Sequence, residues 1–77
     1  MASHEVYTAI VEAVRAGRLV EPFSSTDFRN ACPDFGEATY RAFLHKHAVG
    51  NPGAASELFI REAVGRFRCV RPFRYGV

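Results

Sequence analysis

The chain has 77 residues, a formal net charge of +2 and two cysteines. A domain of this size buries only about 60% of the surface that its unfolded chain exposes, which excludes a large enclosed substrate cleft. The chain has no run of about 18 apolar residues, no leader in which a basic segment precedes a hydrophobic one, and too few cysteines for a disulfide scaffold. We therefore expect one soluble, cytoplasmic domain over residues 1–77, without a membrane span.

The first predicted element is an amphipathic helix over residues 4–16. Val6 and Ile10 begin an apolar stripe at helical spacing, as a helix packed on a core requires. Ser3 is the predicted N-cap, because a serine hydroxyl can accept a hydrogen bond from the first helical turn. Gly17 is predicted to end the helix, since glycine readily takes the left-handed conformation common there.

The segment after this helix is predicted to be extended. Residues 19–23 are too few for another helix and contain Pro22, so they fit a connection that adds a short third strand to a later hairpin. Ser24 and Asp27 then have the spacing of a capping box. They predict a second, short helix over residues 25–31.

A turn and a third helix follow. Pro33 and Gly36 interrupt the helical pattern and predict the turn of a helix-turn-helix. Asp34 and Glu37 have the spacing of another capping box and open a predicted helix over residues 35–48. The face predicted to pack inward carries Tyr40, Phe43, Leu44 and His47.

The last predicted element is an antiparallel hairpin over residues 57–72. Two runs rich in Phe, Ile and Val flank Gly65, which can take the positive φ of a tight reversal. In the second strand, Phe67 and Cys69 face one side and the alternate arginines face the other. The first strand alternates less cleanly, and two assignments of its inward face stay open. Three helices followed by an arginine-bearing hairpin predict an α+β fold, a small winged helix-turn-helix.

Short motifs in the second half of the chain resemble a known group. Glu57-Leu58-Phe59-Ile60-Arg61 precedes Gly65-Arg66-Phe67 and a further apolar position, and Thr39 directly precedes the apolar block of the third helix. These motifs resemble HARE-HTH winged helices, over roughly residues 4–72. That group occurs in chromatin-associated proteins and beside bacterial restriction nucleases. The resemblance implies a domain that reads DNA through its third helix and hairpin.

Charge is distributed unevenly along the chain. Residues 1–40 hold three arginines against six acids, whereas residues 41–77 hold seven basic residues against two acids. Clustered Lys and Arg provide the attraction to phosphates, although such a cluster can also be a merely solvated face. The predicted DNA-binding residues lie on the outward face of the third helix and on the hairpin: Thr39, Arg41, Ala42, His45, Lys46, Arg61, Arg66 and Arg68.

Other chemistry has little support in the sequence. His45 and His47 are two positions apart on a helix and point to different faces, and Cys32 and Cys69 form no metal-binding pair. Neither a nucleophile elbow nor a phosphate-cradling glycine loop is present. We expect no enzymatic activity, no metal and no cofactor.

The leading functional hypothesis is a double-stranded DNA-binding protein, either a small transcriptional regulator or the DNA-binding module of a defence or regulatory system. A homodimer on two half-sites is the expected assembly. The alternative is a protein–protein interaction module that uses the same fold without DNA. In that alternative, Phe73, Tyr75 and the tail over residues 71–77 form the docking strip.

Overall fold

The structure is a computed structural model that describes residues 2–50 and 57–75. It confirms the predicted order of three helices followed by an antiparallel hairpin, a small α+β domain consistent with a winged-helix arrangement. None of the described helices is both long and apolar enough to cross a membrane. The elements are α1 (Ala2–Arg15), α2 (Ser25–Ala31), α3 (Glu37–Lys46), β1 (Phe59–Ala63) and β2 (Arg66–Cys69).

The two ends of α1 differ in how well the sequence predicts them. The helix begins at Ala2, so Ser3 lies inside it and the prediction that Ser3 is the N-cap is wrong. An apolar stripe identifies the packed side of a helix but not its first residue. At the other end, Gly17 has a φ of +81°, and the Arg18 N–H donates to the Ala13 carbonyl at 2.9 Å. The predicted glycine ending is confirmed, as part of a Schellman motif.

The capping box of α2 is confirmed. The Ser24 hydroxyl accepts a hydrogen bond from the Asp27 N–H at 3.1 Å, and the Asp27 carboxylate accepts one from the Ser24 N–H at 3.0 Å. The helix spans the predicted residues, Ser25–Ala31. Both bonds join groups three residues apart, so a local sequence signal is sufficient to place them.

The second predicted capping box is wrong. α3 is two residues shorter at each end than the predicted helix over residues 35–48, and its N-cap is Gly36, which offers no side-chain hydrogen bond. Asp34 therefore lies outside the capping position. Glu37 lies in the first turn, but its carboxylate pairs with Arg29 of α2 rather than with the backbone of the turn. A contact between helices thus replaces the local contact that the spacing predicts.

The turn between α2 and α3 is held by one tyrosine. The Tyr40 hydroxyl accepts a hydrogen bond from the Phe35 N–H at 3.0 Å and donates one to the Cys32 carbonyl. The Tyr40 ring also packs edge-on against Phe28, with 5.0 Å between centroids. Two backbone groups of the turn are satisfied by a side chain of the next helix, which fixes how α3 leaves the turn.

The hairpin has the predicted orientation. Gly65 has a φ of +70° at its turn, and Phe67 and Cys69 are fully buried. Phe59 lies directly opposite Cys69 and is also buried. The inward face of β1 is therefore the one that carries Phe59. Leu58 is buried as well, at the base of the hairpin beside the C-terminal segment. Burial of two consecutive residues explains why the alternation of the first strand is unclear in the sequence.

The predicted third strand is reduced to a single bridge. The N–H and C=O of Phe23 both bond to Phe67, each at 2.8 Å, but the preceding residue is a proline with no N–H to donate. The next outward N–H of β2, that of Cys69, donates instead to the Glu21 carboxylate at 2.7 Å. A side chain therefore continues the edge pairing where the backbone cannot.

Glu21 also forms an ion pair with Arg71, and its carboxylate is the least exposed of those in the four ion pairs among the described residues. Its two oxygens accept hydrogen bonds from the Arg71 guanidinium at 2.6 and 3.1 Å, a bidentate pair. Burial raises the pKa of the Glu21 carboxyl, but the hydrogen bonds from Arg71 and from the Cys69 N–H outweigh it. The pKa is therefore lowered from its usual value of 4.5.

We expect Glu21→Gln to lower the free energy of unfolding by about 1 to 3 kcal/mol at pH 7. A carboxyl whose pKa is lowered by folding contributes its full stabilisation above its unfolded pKa, and loses it as the pH falls toward the folded value. The gap between the wild-type protein and Glu21→Gln should therefore narrow below about pH 4.5 in urea unfolding. Glu12→Gln, at an exposed site of α1, is the control. An equal gap at pH 7 and pH 3 would contradict the prediction.

The core joins all five elements. Ile10 of α1, Phe28 of α2 and Leu44 of α3 have no exposed surface. Phe59 of β1 and Phe67 of β2 are equally buried. The predicted inward face of α3 is confirmed, because all four of its residues are buried: Tyr40, Phe43, Leu44 and His47.

We expect Leu44→Ala to lower the free energy of unfolding by roughly 2 to 5 kcal/mol, because Leu44 is fully buried and its truncation leaves a cavity in the core. For a domain this small, that loss approaches the whole stability. Val64→Ala is the matched control, since Val64 is 87% exposed and its truncation should change stability by less than about 0.5 kcal/mol. Thermal unfolding followed by circular dichroism measures both variants. An unchanged Tm for Leu44→Ala would refute the packing of α3.

Candidate nucleic-acid interface

Ion pairs remove much of the charge asymmetry between the two halves of the chain. Two arginines of the basic half pair with acids of the acidic half, one pairs within the hairpin, and a fourth pair joins α2 to α3. Cations held in this way attract phosphates less than their number suggests, because each carries a carboxylate beside it. The four pairs among the described residues are Arg29–Glu37, Arg66–Asp27, Arg68–Glu62 and Arg71–Glu21.

The hairpin arginines alternate with buried residues, as predicted, but both contact acids. Arg66 lies 3.3 Å from the Asp27 carboxylate of α2, and Arg68 pairs with Glu62 across the hairpin. All four side chains are between 40% and 52% exposed. Pairs with that exposure contribute about 0 to 1 kcal/mol, so the arginines can exchange partners at little cost. The two carboxylates nonetheless remain in place and repel a phosphate.

The outward face of α3 divides into two flanks. Arg41 and His45 are four residues apart and lie above one another on one flank. Thr39, Ala42 and Lys46 lie on the other. Arg41, Ala42, His45 and Lys46 are exposed, and Thr39 is half-buried. The predicted residues of α3 therefore share the solvent side of the helix but do not form one stripe.

One flank of α3 continues onto the hairpin through Phe67. The His45 ring packs edge-on against the Phe67 ring, with 5.1 Å between centroids. Arg61 lies directly opposite Phe67 in the β1–β2 pairing. Cross-strand neighbours have Cβ atoms about 5 Å apart, so His45 and Arg61 flank the same buried ring. The structure thus brings the end of α3 and the start of the hairpin together.

Backbone hydrogen bonds hold this junction. The His47 carbonyl accepts hydrogen bonds from the N–H groups of Leu58 and Phe59 at 2.8 and 3.2 Å, and the Val49 N–H donates to the Phe59 carbonyl at 2.8 Å. Ala48 and Phe59 form a parallel bridge. Because these bonds directly follow Lys46, they fix the end of α3 beside β1.

Three of the predicted residues form no ion pair with a described residue: Arg41, Lys46 and Arg61. We call them the uncompensated cations. All three are exposed. They contrast with Arg66 and Arg68, which the structure places beside acids. Among the predicted basic residues, the ones whose charge remains available to a ligand therefore lie on α3 and β1.

Sequence reasoning missed the acids that pair with the hairpin arginines. Glu62 could have been found, because a turn at Gly65 places it diagonally across from Arg68 on one face. Asp27 could not have been found, since it lies 39 residues from Arg66 and its sequence context indicates only a cap. Arg29 was also missed as a functional candidate, because it belongs to the acidic half of the chain.

The C-terminal segment packs back onto α1. The Arg15 and Arg71 guanidinium groups both lie over the Phe73 ring, 4.8 and 4.3 Å from its centroid. Phe73 is half-buried, whereas Tyr75 is 44% exposed and packs edge-on against Tyr7 at 5.6 Å. The predicted docking strip is thus partly used within the fold. Its last two residues, 76 and 77, lie outside the described residues.

Neither cysteine is placed for chemistry. Burial raises the pKa of the Cys69 thiol to about 12, with the nearby Glu21 charge adding to the effect. Burial raises the pKa of Cys32 as well. Both thiols therefore stay protonated at neutral pH, and a protonated thiol is a poor nucleophile. Among residues 2–50 and 57–75, no three His, Cys, Asp or Glu side chains are grouped to hold a metal ion.

Comparison of the chain with protein-family models, with curated proteins and with solved structures finds no match. The likeness to HARE-HTH winged helices remains a prediction from short motifs.

Proposed function

We propose that this chain binds double-stranded DNA, either as a small transcriptional regulator or as the DNA-binding module of a defence or regulatory system. The observation that carries the proposal is the position of the uncompensated cations. They are exposed on the second helix of a helix-turn-helix and on the adjoining strand. An exposed helix with cations on it, next to a hairpin, is the arrangement that inserts into a major groove.

The proposed contacts fall into two classes. Ala42 and Thr39 lie on one flank of α3, where small and hydroxyl groups approach base edges. Lys46 and Arg61 supply charge to the phosphate backbone. Arg66 and Arg68 contribute less, because Asp27 and Glu62 accompany them.

We further propose that the chain acts by binding alone, in the cytoplasm, without a cofactor or metal. The raised pKa values of both buried thiols argue against a thiolate nucleophile, which is consistent with a role in binding. A protein partner at the C-terminal segment has less support, because two arginine guanidinium groups lie over the Phe73 ring.

We expect fluorescence anisotropy to show binding to random duplex DNA that weakens steeply with salt. Each phosphate contact that is lost reduces the slope of log affinity against log salt by about 0.9. Lys46→Gln combined with Arg61→Gln should therefore lower the slope by about two units and weaken binding to every duplex.

The control removes the same charge elsewhere. Arg18→Gln combined with Arg74→Gln changes two exposed arginines that form no ion pair with a described residue and belong neither to α3 nor to the two strands. Its salt slope should stay close to that of the wild-type protein. If the wild-type protein binds no duplex at low salt, the proposed function is wrong. If both double variants lose affinity equally, only net charge matters and the proposed surface is wrong.

We propose that two copies bind one DNA site, because a single short helix reads few base pairs and paired half-sites add specificity. The protein is used at tens of micromolar, about the range in which weak dimers form, and the duplex is in excess over it. Sedimentation velocity should then show two protein chains per DNA. Only one chain on every duplex, including one built of inverted repeats, would refute the dimer.

A further inference from the structure

A cleft of about 280 Å³ lies between α2 and α3. It opens beside the packed pair of Phe28 and Tyr40, on the Arg41 flank of α3. Its lining combines two cations, two hydroxyls, one carboxylate and one aromatic ring: Arg29, Arg41, Ser25, Thr26, Glu37 and Tyr40.

Three of these side chains have hydrogen-bond donors that no described residue accepts from. The capping box of α2 uses Ser24 and Asp27, so the Ser25 and Thr26 hydroxyls form no hydrogen bond with a described residue. Arg41 forms no ion pair with a described residue. Thr26 and Arg41 are exposed and Ser25 is half-buried, so all three are accessible to a ligand.

Contacts hold the Arg29 guanidinium in place but leave some of its N–H donors free. Its guanidinium lies 5.1 Å from the centroid of the Tyr40 ring, and one of its nitrogens pairs with Glu37. A guanidinium has several N–H donors in one plane, so a single carboxylate leaves some of them available. Stacking and pairing hold the group at the cleft, which lowers the entropy lost when it binds a ligand.

We propose that this cleft binds one phosphate group of the DNA backbone. Arg41 supplies the net positive charge, because the Glu37 carboxylate offsets that of Arg29. The free N–H donors of Arg29 and the Ser25 and Thr26 hydroxyls then donate to the phosphate oxygens. The inference rests on the proposed function. It also gives Arg41 one of two possible roles on DNA, since Arg41 then positions α3 on the duplex and does not read a base.

The two roles of Arg41 predict different measurements. A phosphate contact is independent of sequence, so Arg41→Gln should weaken binding to all duplexes and lower the salt slope by about one unit. The ratio of affinities for a preferred and an unrelated duplex should stay constant. Loss of a base contact would instead change that ratio by roughly fivefold to 150-fold.

The test measures anisotropy on both duplexes over a salt series. It compares the wild-type protein, Arg41→Gln, the double variant Ser25→Ala with Thr26→Val, and Arg18→Gln as a control with equal charge loss outside the cleft. The double variant keeps every charge, so it should weaken binding to both duplexes while the salt slope changes little. Circular dichroism confirms that each variant folds.

Each outcome decides the proposal. A uniform loss for Arg41→Gln and for the hydroxyl variant, with Arg18→Gln unchanged, supports it. A changed affinity ratio for Arg41→Gln, or full affinity for the hydroxyl variant, overturns it while DNA binding stands. No duplex binding by the wild-type protein overturns the proposed function and the DNA source together.

A second arm identifies the source of the phosphate. Inorganic phosphate is titrated into the ¹⁵N-labelled protein at millimolar concentration. Shifts at the cleft that vanish in Arg41→Gln, in a protein that binds no duplex, would assign the cleft to a free phosphate compound and overturn the backbone assignment.

Discussion

The arrangement depends most on Phe67, the residue at which three parts of the chain meet. Its backbone bonds to Phe23 on one side, and Arg61 lies opposite it on the other. Its ring is fully buried and contacts His45 of α3. One residue thus links the hairpin, the edge segment and the end of α3, which places α3 and β1 side by side as parts of one surface.

Ion pairs then decide which part of that surface carries usable charge. A count of arginines favours the hairpin, where Arg66 and Arg68 lie on the outward side. The fold instead brings a carboxylate to each of them, and one of these, Asp27, comes from a distant helix. The attraction for a polyanion consequently shifts toward α3 and Arg61. Affinity in such a domain is set less by the number of cations than by how many lack an acidic neighbour.

The accuracy of the sequence-based predictions follows the range of the interactions involved. The capping box at Ser24 and the glycine ending at Gly17 were predicted correctly, because every group involved lies within a few residues along the chain. The cap at Asp34 was wrong, because Glu37 meets Arg29 on another helix and Tyr40 holds the turn. The order of the elements could be predicted from periodicity, whereas the pairing of charges required the tertiary fold.

If the chain binds DNA as proposed, the two flanks of α3 would make different kinds of contact. A residue that faces the neighbouring helix cannot also project to the floor of a groove, since α2 lies on that side. Arg41 is directed toward the cleft with Arg29, whereas Lys46 and Ala42 lie on the opposite flank. Phosphate anchoring on the α2 side would orient α3, and Thr39 and Ala42 on the remaining flank would then meet the bases, with Lys46 at the phosphate backbone. Because Arg66 and Arg68 have acidic neighbours, the hairpin would contribute mainly through Arg61, and discrimination would rest on the few small side chains of α3.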